Sequence, residues 1–78
     1  MPYSTKAFGI TISKLRTQKG LTQERLSGFA GIARSHLAAL EKGEKIVRLD
    51  TLWKIADALE ISPSELIRKV EEERTDAP

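Results

Sequence analysis

The fold of this chain is decided by residues 21–43, which read LTQERLSGFAGIARSHLAALEKG. Thr22 can cap a short helix whose inner face carries Leu26 and Ala30, four residues apart. Gly31 follows, and a glycine just past a helix easily adopts the left-handed conformation that turns the chain. This part of the stretch therefore predicts a short helix that ends in a sharp turn.

A second helix is predicted to start near Ala33 and to stop before Gly43, with Ile32 acting as an apolar plug in the turn. Leu37 and Leu40, spaced i, i+3, form its buried side. Its opposite side offers Arg34, Ser35, Ala38 and Ala39. Two helices joined by so short a turn form a helix-turn-helix, over about residues 22–42, in which the second helix can enter a DNA groove.

Two further helices follow from apolar residues at helical spacing. Helix 1 is predicted over about residues 5–19, with Ser4 or Thr5 as its cap and Gly20 at its end. Helix 4 follows a surface loop at residues 44–48. The apolar positions are Phe8, Ile12 and Leu15 in helix 1, and Leu49, Leu52, Ala56 and Leu59 in helix 4.

Helix 5 has the clearest start signal in the chain. Ser62 and Glu65 form an S-x-x-E capping box, and Pro63 occupies the first helical position. The helix is predicted to continue through Val70. Because no strand pattern or repeat is present, the sequence predicts an all-α, compact five-helix domain over residues 1–74, followed by a disordered tail at 75–78.

Five groups of residues, in this order and spacing, resemble the lambda-repressor/Cro-type helix-turn-helix family of bacterial and phage regulators, also called the xenobiotic-response-element family. The resemblance implies a five-helix domain that binds a double-stranded DNA operator, commonly as a homodimer. Small controller proteins of restriction-modification systems are similar in length and in the first three groups. The groups are FG at 8–9, LR at 15–16, KGLTQE at 19–24, LEKG at 40–43 and TLWKIADAL at 51–59.

The resemblance assigns DNA contacts to the start of helices 2 and 3. Gln23 takes the family's phosphate-clamp position, where free N–H groups and the helix dipole attract an anion. Arg34 and Ser35 lie in the first turn of helix 3, which meets base edges in the family. Arg34 can donate two hydrogen bonds to guanine, or else contact a phosphate, whereas Ser35 can contact several bases.

Other contacts are predicted around helix 3. Ala39 can touch a thymine methyl group, although alanine is also simply a good helix former. His36 lies beside the DNA backbone in the family alignment, and the alternative is an unengaged surface histidine. The cations near the end of helix 3 can reach phosphates without reading sequence, namely Lys42, Lys45 and Arg48.

Two positions are predicted to have structural roles. Arg16 and Glu41 match positions that pair in the family and tie helix 1 to the end of helix 3. Trp53 lies about 100° around helix 4 from Leu52, so it is poorly placed for the same core. We interpret it as a homodimer contact involving helix 5, with a partly buried core edge as the alternative.

Charge is divided unevenly along the chain. Residues 1–48 contain nine Lys or Arg against three Asp or Glu, whereas residues 49–78 contain four against eight. The net charges are therefore +6 and −4. The positive part contains the helix-turn-helix, as expected if that part meets phosphates.

Composition excludes several classes of protein. The 78 residues suffice for one domain, and with no Cys neither a disulfide framework nor a thiolate metal site is possible. His36 is the only His, so we expect no metal, no cofactor, no catalytic centre and no small-molecule substrate. No apolar run approaches a membrane span, so we expect a cytoplasmic, nucleoid-associated protein with no membrane partner.

The sequence thus predicts a transcriptional regulator that binds a near-palindromic operator as a homodimer, with helix 3 in the major groove. The alternative is an antitoxin-like interaction module, in which helix 5 and the acidic tail bind another protein.

Overall fold

The computed structural model of the chain describes residues 3–73. Within this range it contains five α-helices and no strand, which confirms the all-α prediction. The helices are α1 (Thr5–Gln18), α2 (Gln23–Ala30), α3 (Arg34–Glu41), α4 (Leu49–Ala58) and α5 (Pro63–Glu72).

Side-chain caps start three of the helices. The hydroxyl groups of Ser4, Thr22 and Ser62 each accept a hydrogen bond from a backbone N–H three residues on. The capping box of α5 is only half formed, because the Glu65 carboxylate pairs with Arg68 and Lys69. The hydrogen bond from Arg68 is the main reason that the pKa of Glu65 lies below its ordinary value.

Two helix ends differ from the sequence prediction by one residue. Helix α1 ends at Gln18, and Lys19 follows it as the C-cap. Ala33 has an extended backbone, so α3 begins at Arg34. The turns themselves are as expected, since Gly20 and Gly31 have φ values of 70° and 71°.

A single core joins all five helices. Helix α1 packs against α3 and α5, α2 packs against α3 and α4, and α4 packs against α5. The radius of gyration is 11.4 Å, close to the roughly 11 Å expected for a compact chain of this length. The largest fully buried side chains are Phe8, Ile12, Leu26, Leu37, Leu40, Ile55, Leu59 and Leu66.

The structure corrects two expectations around the start of α4. Leu49 was predicted to share the apolar face of helix 4, but 65% of its surface is exposed. The buried face of α4 instead comprises Thr51, Leu52, Ile55 and Ala56. The loop at 44–48 is not wholly a surface loop, since Val47 packs against the core.

Gly9 marks the closest approach between α1 and α3. A Cβ atom at this position would lie 2.4 Å from the Glu41 carbonyl oxygen and 2.5 Å from that of Leu40. Both atoms belong to the backbone, so no side-chain rotation could relieve the clash. Only glycine therefore lets the C-terminal end of α3 rest directly on α1.

The predicted disordered tail at 75–78 lies outside the described residues. Among the helices of residues 3–73, none combines the length and apolar character that crossing a membrane requires.

We predict that Gly9→Ala destabilises the fold by about 1–3 kcal/mol or more, because α3 must move away from α1 to admit the methyl group. Gly28→Ala is the matched control, since a Cβ atom at Gly28 meets nothing within 4 Å. It should stabilise α2 by about 0.5–1 kcal/mol. Urea unfolding followed by circular dichroism measures both changes, and equal free energies for the two variants would contradict the close packing.

Candidate nucleic-acid interface

Helices α2 and α3 form the predicted helix-turn-helix. The Thr22 hydroxyl accepts a hydrogen bond from the Arg25 N–H at 3.1 Å, which fixes the start of α2. Gly31 turns the chain in the left-handed conformation. Ile32 is partly buried against the core, as expected of an apolar plug. The turn is therefore held at its centre and α2 at its beginning.

The first turn of α3 is presented to solvent. Leu37 and Leu40 are fully buried and anchor the inner side of the helix. Arg34 and Ser35 are exposed, and within residues 3–73 Arg34 has no ion-pair partner. Ala33 makes no side-chain capping bond. The side chains predicted to meet base edges are thus accessible and free of competing intramolecular charge.

The other predicted residues of α3 are less exposed. Ala39 lies four residues after Ser35, on the same side of the helix, and is half-buried. His36 is also half-buried. Both therefore lie at the edge of the exposed strip, and the strip narrows from the first turn to the second.

The three cations after α3 differ in their surroundings. Lys42 and Lys45 are exposed, and neither has an ion-pair partner in the described part of the chain. Arg48 is exposed too, but its Nε lies 3.2 Å from the Asp50 carboxylate. Of these three cations, only Lys42 and Lys45 can thus contact an anion without first breaking an ion pair.

Gln23, the predicted phosphate clamp, is not free in this structure. It is the first residue of α2, and its Nε2 donates a hydrogen bond to Glu41 Oε1 at 2.9 Å. This bond joins the beginning of α2 to the last residue of α3. It brings Gln23 close to the end of α3, where Lys42 follows.

The predicted pair of Arg16 and Glu41 is present. Arg16 Nε and Nη2 donate to the two Glu41 carboxylate oxygens, at 2.7 and 3.1 Å. The side chains are only 15% and 6% exposed. The hydrogen bond to Glu41 is the main reason that the pKa of Arg16 is raised. Arg16 Nη1 also donates to the Leu21 carbonyl at 2.8 Å, just before α2.

Trp53 lies on the outside of α4 with 56% of its surface exposed, and it is not among the side chains that pack on the core. Leu49 is four residues earlier on the same side of the helix and is similarly exposed. Both residues line a shallow depression with Arg48 and Asp50 at its rim. We call Leu49 and Trp53 together the α4 apolar surface.

Sequence reasoning missed two features. Phe29 is 61% exposed near the end of α2, and its ring centroid lies 5.9 Å from the Arg25 guanidinium carbon. Phe29 lies three residues after Leu26 in the sequence, and this spacing did not predict that its side chain would be exposed. The Gln23–Glu41 bond was missed because the two residues lie 18 positions apart and in different helices.

The site thus combines an exposed first turn on α3, a turn held by Gly31 and two lysines after the helix that have no ion pair within residues 3–73, an arrangement typical of a DNA-binding helix-turn-helix domain. A family model described as Helix-turn-helix matches residues 12–66. The chain therefore belongs to the Cro/C1-type family of helix-turn-helix DNA-binding transcription regulators.

Named relatives are regulators and controller proteins. The chain is 36% identical over 67 residues to the uncharacterized HTH-type transcriptional regulator y4dJ of Sinorhizobium fredii (strain NBRC 101917 / NGR234), covering 86% of this chain and 87% of the relative. It is 42% identical to the restriction-modification controller protein C.AhdI of Aeromonas hydrophila. That match covers 80% of this chain and 94% of C.AhdI, with a TM-score of 0.77.

The fold also matches the controller protein C.Esp1396I, solved as a tetramer with its natural 35 base-pair operator. The TM-score is 0.83 at 23% identity, and the match covers 94% of this chain and 96% of that one.

We predict that Arg16→Met lowers the free energy of unfolding by about 3 kcal/mol, because it leaves the Glu41 carboxylate buried without its charged partner. Lys14→Met is the matched control, since it removes a 2.7 Å pair with Glu73 in which the Lys14 side chain is 59% exposed. That change should cost less than about 1 kcal/mol. Denaturant titrations at neutral pH compare the two, and similar losses would contradict the structural role given to Arg16.

Proposed function

We propose that this protein is a sequence-specific transcriptional regulator that binds a near-palindromic double-stranded DNA operator as a homodimer. The observation that carries the proposal is the first turn of α3, where Arg34 and Ser35 are exposed while Leu37 and Leu40 hold the helix to the body. A rigid, projecting helix of this kind fits the major groove.

We assign the contacts with DNA bases to the exposed strip of α3. In the described part of the chain Arg34 has no ion pair to break, so its guanidinium can donate two hydrogen bonds to guanine O6 and N7. Ser35 contacts a neighbouring base with less discrimination. Ala39, one turn further along, is placed to touch a thymine methyl group.

Phosphate contacts surround this strip. Lys42 and Lys45 approach the DNA backbone directly because neither has an ion-pair partner within residues 3–73. Arg48 must leave Asp50, but an exposed pair of this kind contributes only about 0–1 kcal/mol, so the exchange for a phosphate costs little. Gln23 contacts a phosphate at the start of α2, and His36 lies at the edge of the same surface.

A homodimer accounts for the α4 apolar surface. Large exposed aromatic side chains such as Trp53 are frequent anchors of protein interfaces. A two-fold interface repeats one surface on both copies, and two copies present two α3 helices to successive major grooves. Helix α5 packs against α4 and carries a further apolar side chain, Ile67, which is 43% exposed.

We further propose that the protein catalyses no reaction and acts on the nucleoid in the cytoplasm. No group of three His, Cys, Asp or Glu side chains in residues 3–73 is arranged to hold a metal ion. The sequence contains one His, His36, and no Cys, so it offers neither a His pair nor a thiolate to hold a metal ion.

For an operator selected from a random DNA pool, we predict that Arg34→Ala removes preference at one base pair of each half-site, worth about 1–3 kcal/mol. Lys42→Ala is the matched control, because a phosphate contact is indifferent to sequence and its loss should weaken binding to all sequences alike. Affinities for a panel of single-base operator variants measure both effects.

If Arg34→Ala lowers every affinity on the panel by the same factor, the residue contacts the DNA backbone and the base-reading assignment is wrong. A loss of preference with Lys42→Ala would move base reading to the end of α3.

We predict that the wild-type protein sediments as a dimer at micromolar concentration and that Trp53→Ala shifts it towards the monomer. The substitution removes the largest side chain of the α4 apolar surface. Phe29→Ala is the matched control, since Phe29 is a similarly exposed aromatic residue on another helix.

Half-sites in the selected operator should lie about ten base pairs apart, or about 34 Å.

A wild-type monomer bound at one copy per site would contradict both the dimer and the palindrome. A dimer that weakens with Phe29→Ala and withstands Trp53→Ala would place the interface at the end of α2.

A further inference from the structure

The Glu41 carboxylate is the meeting point of three separate parts of the chain. It closes α3, its side chain is 6% exposed, and it accepts three hydrogen bonds. Two come from Arg16 in α1 and the third comes from the amide of Gln23, the first residue of α2. A buried carboxylate with three donors is held in one position.

The charge on Glu41 would repel a phosphate if it were not balanced. Arg16 supplies the balance through two hydrogen bonds to the carboxylate. Its third nitrogen, Nη1, donates a hydrogen bond to the Leu21 carbonyl and so fixes the segment that leads into α2. The Glu41 side chain can therefore lie beside an anion-binding helix start without opposing the anion.

We propose that Glu41 is a positioning residue for DNA binding, acting through the Gln23 amide. The inference rests on the proposed function, in which Gln23 contacts a phosphate. A side-chain amide has two N–H donors. One is donated to Glu41 at 2.9 Å, and the second remains for a phosphate oxygen.

The bond between Gln23 and Glu41 fixes the position of the phosphate contact relative to the base contacts. Glu41 belongs to the helix that reads bases, whereas Gln23 belongs to the helix that contacts the backbone. The bond between them fixes the phosphate contact relative to α3 before DNA arrives. Without it the Gln23 side chain would rotate freely and would have to be immobilised on binding, a cost equivalent to about a two- to tenfold loss of affinity.

A double-mutant cycle tests the proposal with the full chain and a selected operator duplex. Glu41→Met and Gln23→Ala, made singly and together, are compared by equilibrium affinity at a temperature where each variant is shown to be folded. Methionine is similar in length to glutamate but has no oxygen to accept the Gln23 N–H. Each single variant should bind about two- to tenfold more weakly than wild type. The double variant should bind no more weakly than Gln23→Ala, because in the folded protein Glu41 affects DNA affinity through the amide, whereas its pair with Arg16 affects stability.

Two results of the cycle would overturn the proposal. One is an equal loss from Glu41→Met with and without Gln23→Ala, which indicates a purely structural role. The other is an unchanged affinity for Gln23→Ala in a protein that binds DNA. Glu60→Gln is the matched control, because it removes a 3.3 Å pair with Lys19 that joins two segments outside the helices, and it should leave affinity unchanged.

A measurement on the wild-type protein covers the case in which Glu41→Met does not fold. NMR relaxation of the Gln23 side-chain amide in the free protein should show restricted motion, whereas a freely rotating amide would overturn the proposal. A wild-type protein with a restricted amide that binds no DNA would instead count against the proposed function.

Discussion

The C-terminal end of α3 lies against α1 so closely that position 9 has no room for a side chain. Two features hold this contact: the missing Cβ of Gly9, and the buried pair of Arg16 with Glu41. Because the far end of α3 is fixed in this way, its first turn is free to project without loss of rigidity. Arg34 and Ser35 are thus exposed at one end of α3, while the other end is held against α1.

The charged side chains near the end of α3 differ in whether they form ion pairs. The buried Glu41 carboxylate is matched by Arg16, whereas Lys42 and Lys45, a short distance further along, have no acidic partner within residues 3–73. Two of the acidic side chains of α5, Glu65 and Glu72, are instead paired with Arg68 on the surface of the same helix. The unbalanced positive charge is thus concentrated around the helix-turn-helix.

Local signals predicted the helices well, because each depends on residues close together in the chain. The cap at Ser62 and the left-handed Gly31 are examples. The prediction that Leu49 lies on the buried face of α4 was wrong, since spacing alone does not reveal which positions of a helix its neighbours cover. It was also wrong for the carboxylate of Glu65, which has two cations within reach as well as the helix start.

The candidate site was predicted only in part, for a related reason. The DNA-contact residues came from family spacing, and Arg34, Ser35, Lys42 and Lys45 are indeed exposed. The bond from Gln23 to Glu41 could not be predicted, because it exists only when two helix ends meet in three dimensions. The exposed aromatic ring of Phe29 likewise depends on which side of α2 the other helices leave open.

The most direct test of a polyanionic partner is the salt dependence of affinity for a selected operator duplex. If two copies each place Lys42 and Lys45 on phosphates, affinity should fall about 100-fold or more between about 50 and 200 mM salt, because each contact releases counterions. A log–log plot should be linear with a steep negative slope. An affinity that is unchanged over this range would contradict the claim that this surface binds DNA.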